Sequence, residues 1–185
     1  MTADRSLVHI AIHAAFIGAL GFLPLVSLPI MGGVPITAQS LGVMLAGAML
    51  GPVRGALAVL LFLFIVALGV PLLAGGRGGI GVFYAPSVGF LIGFPVAALV
   101  CGAMMRVLRS QPIFTATLVS SVVGGIIVLY AFGIPGIAIM AETSLPGAFA
   151  GMLAYLPGDI LKAFATAAIV GAVERGRPDA ILSRQ

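Results

Sequence analysis

Charge is almost absent from the middle of this sequence. Between Ser6 and Val173 the only formally charged residues are Arg54, Arg77, Arg106, Arg109, Glu142, Asp159 and Lys162. Charged residues make up 8% of the 185-residue chain and hydrophobic residues 61%, whereas a soluble domain carries about 25% charged residues. A chain with so little charge cannot cover a water-facing surface, so its outer face must meet lipid. This excludes a soluble enzyme, a nucleic-acid-binding domain, a second globular domain and a disordered chain. It also excludes catalytic machinery that depends on clustered charge.

Arginines and Pro/Gly clusters divide the chain into hydrophobic blocks of the length a bilayer demands, about 20 residues per helix. The blocks run over 7–26, 36–53, 55–73, 87–105, 113–132 and 147–173, the last interrupted by Pro157, with a polar surface tail at 174–185. The expected fold is therefore all-α: a single membrane domain, 1–185, of six transmembrane helices in one bundle. Pro24, Pro29, Gly32, Gly33 and Pro35 break the chain after the first block into a loop that is still apolar, as expected of a segment packed into the mouth of the protein. A second linker holds Pro135, Glu142 and Pro146.

The net charge of +4 reports topology, because basic residues collect on the cytoplasmic side. With six spans and the N-terminus inside, Arg5, Arg54, Arg106, Arg109, Arg175, Arg177 and Arg184 are cytoplasmic and Arg77 alone lies in an outer loop. Both termini are then cytoplasmic, and the expected location is a prokaryotic inner or plasma membrane. The first block is too long for the core of a cleaved secretion signal, and a span is expected instead. Cys101 stands alone and reads as a small hydrophobe, with no disulfide and no metal framework.

Small residues recur at helix-contact spacing. Ala11, Ala15 and Ala19 form one row, Gly47, Gly51 and Gly55 a second, Gly89 and Gly93 a third, and Ala163, Ala167 and Gly171 a fourth. Inside lipid, close approach over small residues is a main source of helix association. Internal packing accounts for most of these rows, and the alanine row of the first helix is equally suited to a partner protein.

Arg54, Arg106, Arg109 and Glu142 fall at block edges or in a loop, which leaves Arg77, Asp159 and Lys162. A charge at membrane depth is expensive and marks a functional site by default. Asp159 and Lys162 are three residues apart and share a helix face. All three fall on the outer side, and together they leave one positive charge, which one monoanionic ligand neutralises. The planar fork of Arg77 suits a carboxylate. Asp159 accepts N–H donors, and Lys162 donates to a carbonyl or shares the carboxylate. Phe83, Tyr84, Phe90 and Tyr155 offer apolar or aromatic walls. The ligand expected is a small, partly apolar acid with an amide-like head.

Other signals carry less. Gly76-Arg77-Gly78-Gly79-Ile80-Gly81 matches the spacing of a dinucleotide fingerprint but lacks its strand–turn–helix context. There is no phosphate-binding loop motif for ATP hydrolysis, no Gly-x-Ser-Gly pattern, and no glutamate beside His9 and His13 to make a metal site. No catalytic residue, metal ligand or cofactor is assigned.

Four stretches carry a resemblance: 35–41 (Pro-Ile-Thr-Ala-Gln-Ser-Leu), 46–55, Pro71 with 74–79 (Ala-Gly-Gly-Arg-Gly-Gly), and 156–163 (Leu-Pro-Gly-Asp-Ile-Leu-Lys-Ala). Together they strongly resemble the BioY family, the biotin-specific substrate-binding components of energy-coupling factor (ECF) transporters, and the likeness extends over nearly the whole chain. The resemblance implies capture of biotin, which has a carboxylate tail, a ureido head and an apolar ring body. It places Asp159 and Lys162 in a sixth-helix site motif and Arg77 in the loop between the third and fourth helices, with Gln39, Tyr84, Ser87 and Tyr155 as further ligand-binding candidates. It also implies that Ala11, Ala15 and Ala19 dock a membrane scaffold subunit bearing two cytoplasmic ATPases, and that the component topples in the membrane to deliver its ligand. The chain departs from the family pattern at Pro86-Ser87-Val88-Gly89-Phe90, where Ser87 keeps a hydroxyl and Phe90 lacks a phenolic one. The competing functions are a binding component for another small carboxylated vitamin or precursor, an intramembrane enzyme, and a structural or pore-forming protein.

Overall fold

The computed structural model describes residues 3–24, 26–27 and 35–184, without the side chains of residues 3–5, 26–27 and 35–36. Pro29, Gly32 and Gly33, the centre of the expected apolar loop, lie outside the described residues, as does the side chain of Arg5. The helices are α1 (Ala3–Leu20), α2 (Gln39–Leu50), α3 (Pro52–Ala67), α4 (Val88–Val107), α5 (Ile113–Val122), α6 (Leu129–Met140), α7 (Leu145–Met152) and α8 (Leu156–Gly176). A π-helical stretch, Val123–Val128, joins α5 to α6 without a break. A two-residue antiparallel ribbon, β1 (Val26–Ser27) with β2 (Pro35–Ile36), follows α1.

Among the described residues, three helical stretches are long and apolar enough to cross a membrane: Val88–Val107, Ile113–Met140 and Leu156–Gly176. Ser6–Leu20, Gln39–Leu50 and Pro52–Ala67 are shorter apolar helices. Large hydrophobic side chains such as Leu7, Ile12, Phe64, Ile139 and Leu161 point outward, as a lipid-facing surface requires.

Several boundaries differ from the sequence expectation. The first block stops being helical at Leu20, where the chain turns through Gly21, and the third stops at Ala67, followed by Gly69 at φ 106°. The fifth block does not end at 132. It continues through Pro135 to Met140, because a proline removes one backbone bond but does not end a helix packed on both sides by neighbours. The last block is two helices. Pro157 occupies the first turn of α8, where its missing N–H costs nothing. The tail is not a free surface segment: Ile181, Leu182 and Ser183 are buried, and Ser183 Oγ donates to the Ala48 carbonyl.

α4 is central, packed against α2, α3, α5 and α6, while α8 lies on α5 and α2. The small-residue rows of α2, α4 and α8 face inward. Gly89 of α4 sits against the carbonyl of Phe132, and a Cβ added to Gly136 would come within 2.6 Å of Gly89 Cα. Ala163 and Ala167 are fully buried. The Ala11, Ala15 and Ala19 row faces outward instead. Gly136→Val is therefore expected to force α6 off α4 and to cost about 1–3 kcal/mol or more, read as a lowered melting temperature in detergent. Gly176→Ala, with nothing within 4 Å of an added Cβ, should leave it unchanged.

Candidate functional site

The N-terminal ends of α2, α4 and α8 converge at one end of the bundle, together with the loop after α3, and enclose a cavity. About 590 Å³ of atom-free space, counted out through the open mouth, lies between them. Leu73, Phe90, Leu91, Phe94, Leu129 and Met152 supply an apolar wall, and Arg77, Ser87, Asp159 and Lys162 supply polar groups.

Asp159 lies in the first turn of α8, where the positive end of the helix dipole favours a carboxylate. It is only 7% exposed. Lys162 Nζ meets its Oδ1 at 2.8 Å, and the Tyr130 hydroxyl donates to Oδ2 at 2.7 Å. Lys162 also donates to Ser40 Oγ at 3.1 Å, which ties α8 to α2. Each oxygen of the carboxylate therefore has one partner and retains capacity for a further donor from a ligand.

Arg77 is aimed by a tight hairpin. Leu73 and Arg77 exchange both backbone hydrogen bonds, at 2.9 and 3.2 Å. Between them Gly75 and Gly76 adopt φ of 80° and 69°, a left-handed conformation that glycine enters without cost. Gly76, which opens the fingerprint-like run, thus shapes a turn. Arg77 Nε donates to the Ala74 carbonyl at 3.2 Å and Nη1 reaches Ser87 Oγ at 3.4 Å. Partial burial holds the guanidinium below its ordinary pKa, yet an arginine keeps its proton in proteins. Ser87 precedes α4 without capping it, which leaves its hydroxyl turned to Arg77.

The remaining candidates separate. Tyr155 is buried and lines the cavity, as does Phe90. Phe83 packs on the main hydrophobic core, and Tyr84 is 74% exposed and lies outside the cavity lining. Gln39 is at the cavity edge, but its amide is committed. Nε2 donates to the carbonyls of Ile17 at 3.3 Å and Leu72 at 3.0 Å, and Oε1 accepts from Ala74 N–H at 3.2 Å. It therefore positions the Arg77 hairpin against α1. Away from the cavity, His13 Nδ1 lies 2.9 Å from the His9 carbonyl oxygen, and Cys101 is fully buried.

Tyr130 escapes a search confined to charged residues. The available signal was a phenol in an otherwise apolar span, since a buried tyrosine hydroxyl needs a partner.

The sequence matches the family described as BioY family over residues 1–179. It is 46% identical over 190 residues to the biotin transporter BioY of Rhodobacter capsulatus, covering 98% of this chain and 99% of that one. It is 47% identical over 181 residues to the biotin transporter BioY of Rhizobium etli, covering 95% and 96%. A crystal structure of the S-component for biotin from an ECF-type ABC transporter superposes with a TM-score of 0.88 at 30% identity, covering 95% of each chain.

Gln39→Leu is expected to leave three backbone groups without their partner and to destabilise the protein by roughly 1–3 kcal/mol. Thermal unfolding in detergent without ligand reads this. An unchanged melting temperature would remove Gln39 from its role in holding the hairpin.

Proposed function

The chain belongs to the BioY family, and from that premise we propose that it captures biotin as the substrate-binding component of an ECF-type transporter. The observation that carries this reading is a cavity lined together by Arg77, Asp159 and Lys162. The trio sums to one positive charge, matched by one carboxylate. Asp159, held at one point on each oxygen, offers its remaining lone pairs to the ureido N–H groups. Lys162 lies beside it to meet the ureido carbonyl or to share the carboxylate. Arg77 Nη2, outside the contacts made by Nε and Nη1, is the group for the carboxylate tail. The apolar wall of Phe90, Leu91 and Phe94 receives the ring body. Transport, and not chemistry on the ligand, is the outcome, and the chain itself brings no ATP-hydrolysing motif.

The positions of the arginines support the orientation. α2, α4 and α8 start at the cavity and end at the opposite face of the bundle, and α3 runs the other way. Arg54, Arg106, Arg109, Arg175, Arg177 and Arg184 therefore lie at the face opposite the cavity. If that face is cytoplasmic, six spans place both termini inside, in the cell membrane of a prokaryote, and the cavity takes biotin from outside. The outward alanine row of α1 is the docking face for a transmembrane scaffold subunit with two cytoplasmic ATPases. The occupied component then topples to release biotin inside.

Radiolabelled biotin should bind the detergent-purified protein, whereas tight binding of another carboxylated vitamin with none of biotin would reassign the substrate. Asp159→Asn should weaken biotin binding by roughly 1.5–3 kcal/mol, the value of hydrogen bonds to a charged group, and unchanged affinity would remove Asp159 from the site. Ala15→Phe should leave biotin binding intact and impair uptake when the scaffold is present. Loss of binding would instead assign Ala15 to internal packing.

A further inference from the structure

At the opposite end of the bundle from the cavity, a second pocket is lined by Arg106, Arg109, Ser183 and Arg184. Two parts of the chain far apart in sequence build it: the end of α4 and the C-terminal tail. The tail is anchored by buried Ile181 and Leu182 and by Ser183 on the Ala48 carbonyl. That anchorage fixes Arg184, whose Nη2 donates to the carbonyls of Leu108 at 3.1 Å and Gln111 at 2.6 Å. These contacts answer carbonyls beyond the end of α4. They leave Nε of Arg184, which is buried and has no acceptor. Three guanidinium groups and a buried N–H without an acceptor thus converge on one pocket.

α4 places this pocket about 30 Å from the cavity, since its 20 residues rise about 1.5 Å each. That distance is the thickness of a hydrocarbon core, so the pocket sits at headgroup depth when α4 spans the membrane. Basic pockets between helices at such a depth suit phosphate headgroups, and a planar guanidinium pairs two N–H donors with phosphate oxygens.

We propose that Arg106, Arg109 and Arg184 form a phosphate-binding site, distinct from the biotin cavity, that takes the phosphate of an anionic phospholipid headgroup and pins the C-terminal tail to α4. The bound phosphate would neutralise repulsion between the three arginines. It would also supply the acceptor that Arg184 Nε lacks.

Native mass spectrometry of the full chain in detergent, with added phosphatidylglycerol, phosphatidylcholine or inorganic phosphate, tests this. The wild type should retain phosphatidylglycerol in preference to phosphatidylcholine. The double variant Arg106→Gln, Arg109→Gln should lose that preference by roughly tenfold, as expected when charge-assisted bonds are removed, with biotin binding unchanged. This variant is preferred to Arg184→Gln, which also removes donors to the Leu108 and Gln111 carbonyls. Thermal stabilisation by inorganic phosphate in the wild type but not in the double variant would uphold the phosphate site and assign it to a soluble phosphoryl anion. Equal retention of both lipids with no phosphate effect, or an unchanged preference in the double variant, would overturn the proposal. So would a double variant that keeps its lipids and loses only assembly with the transporter scaffold, which would make the patch a protein interface.

Discussion

Asp159 and Lys162 stand 2.8 Å apart, one turn into α8 and nearly out of reach of solvent. Placing two charges in such surroundings is costly, and an apolar pair of similar volume is often as stable or more so. The arrangement around them shows how the bundle sustains that cost. Tyr130 donates to one carboxylate oxygen and Lys162 to the other, and Ser40 accepts from the ammonium. The dipole of α8 favours the carboxylate from behind. Stability alone gives no reason for such a pair, whereas a ligand that needs both an acceptor and a donor does.

The rest of the fold serves the placement of these groups. Close contacts over Gly89 and Gly136 bring α4 and α6 together, which sets Phe90 and Leu129 on the cavity wall. The π-helical stretch immediately precedes Leu129 and Tyr130, so the helix register that carries both is fixed by that insertion. Gln39 staples the hairpin to α1 and α2, and the hairpin aims Arg77. The third charge of the trio is thus held on a hairpin that the Gln39 side chain ties to α1.

Some of this architecture is legible in the sequence, and the reasons divide along physical lines. Scarcity of charge announces lipid, and a charge that survives inside an apolar block announces a site. Both inferences are local, and Arg77, Asp159 and Lys162 emerge from them. Features that depend on a distant partner do not. Tyr130 gains its role from Asp159, 29 residues away in sequence, and the buried anchor of Ile181 to Ser183 becomes visible only when α2 and α4 are in place. The continuous helix through Pro135 is hidden because proline marks a helix end reliably only where no neighbours compensate its missing bond. Tyr84 is expected among the aromatic walls, but the turn from Ile80 to Tyr84 carries it outward.

The central claim is that a cavity holding one net positive charge recognises a monoanion. Titration calorimetry of the detergent-purified wild type with biotin and with biotin methyl ester tests it directly, because the two ligands share the ureido head and ring body and differ in the charge of the tail. Biotin should bind at least roughly tenfold more tightly than its ester, the value of one charge-assisted hydrogen bond. Equal affinity for the two would contradict the account.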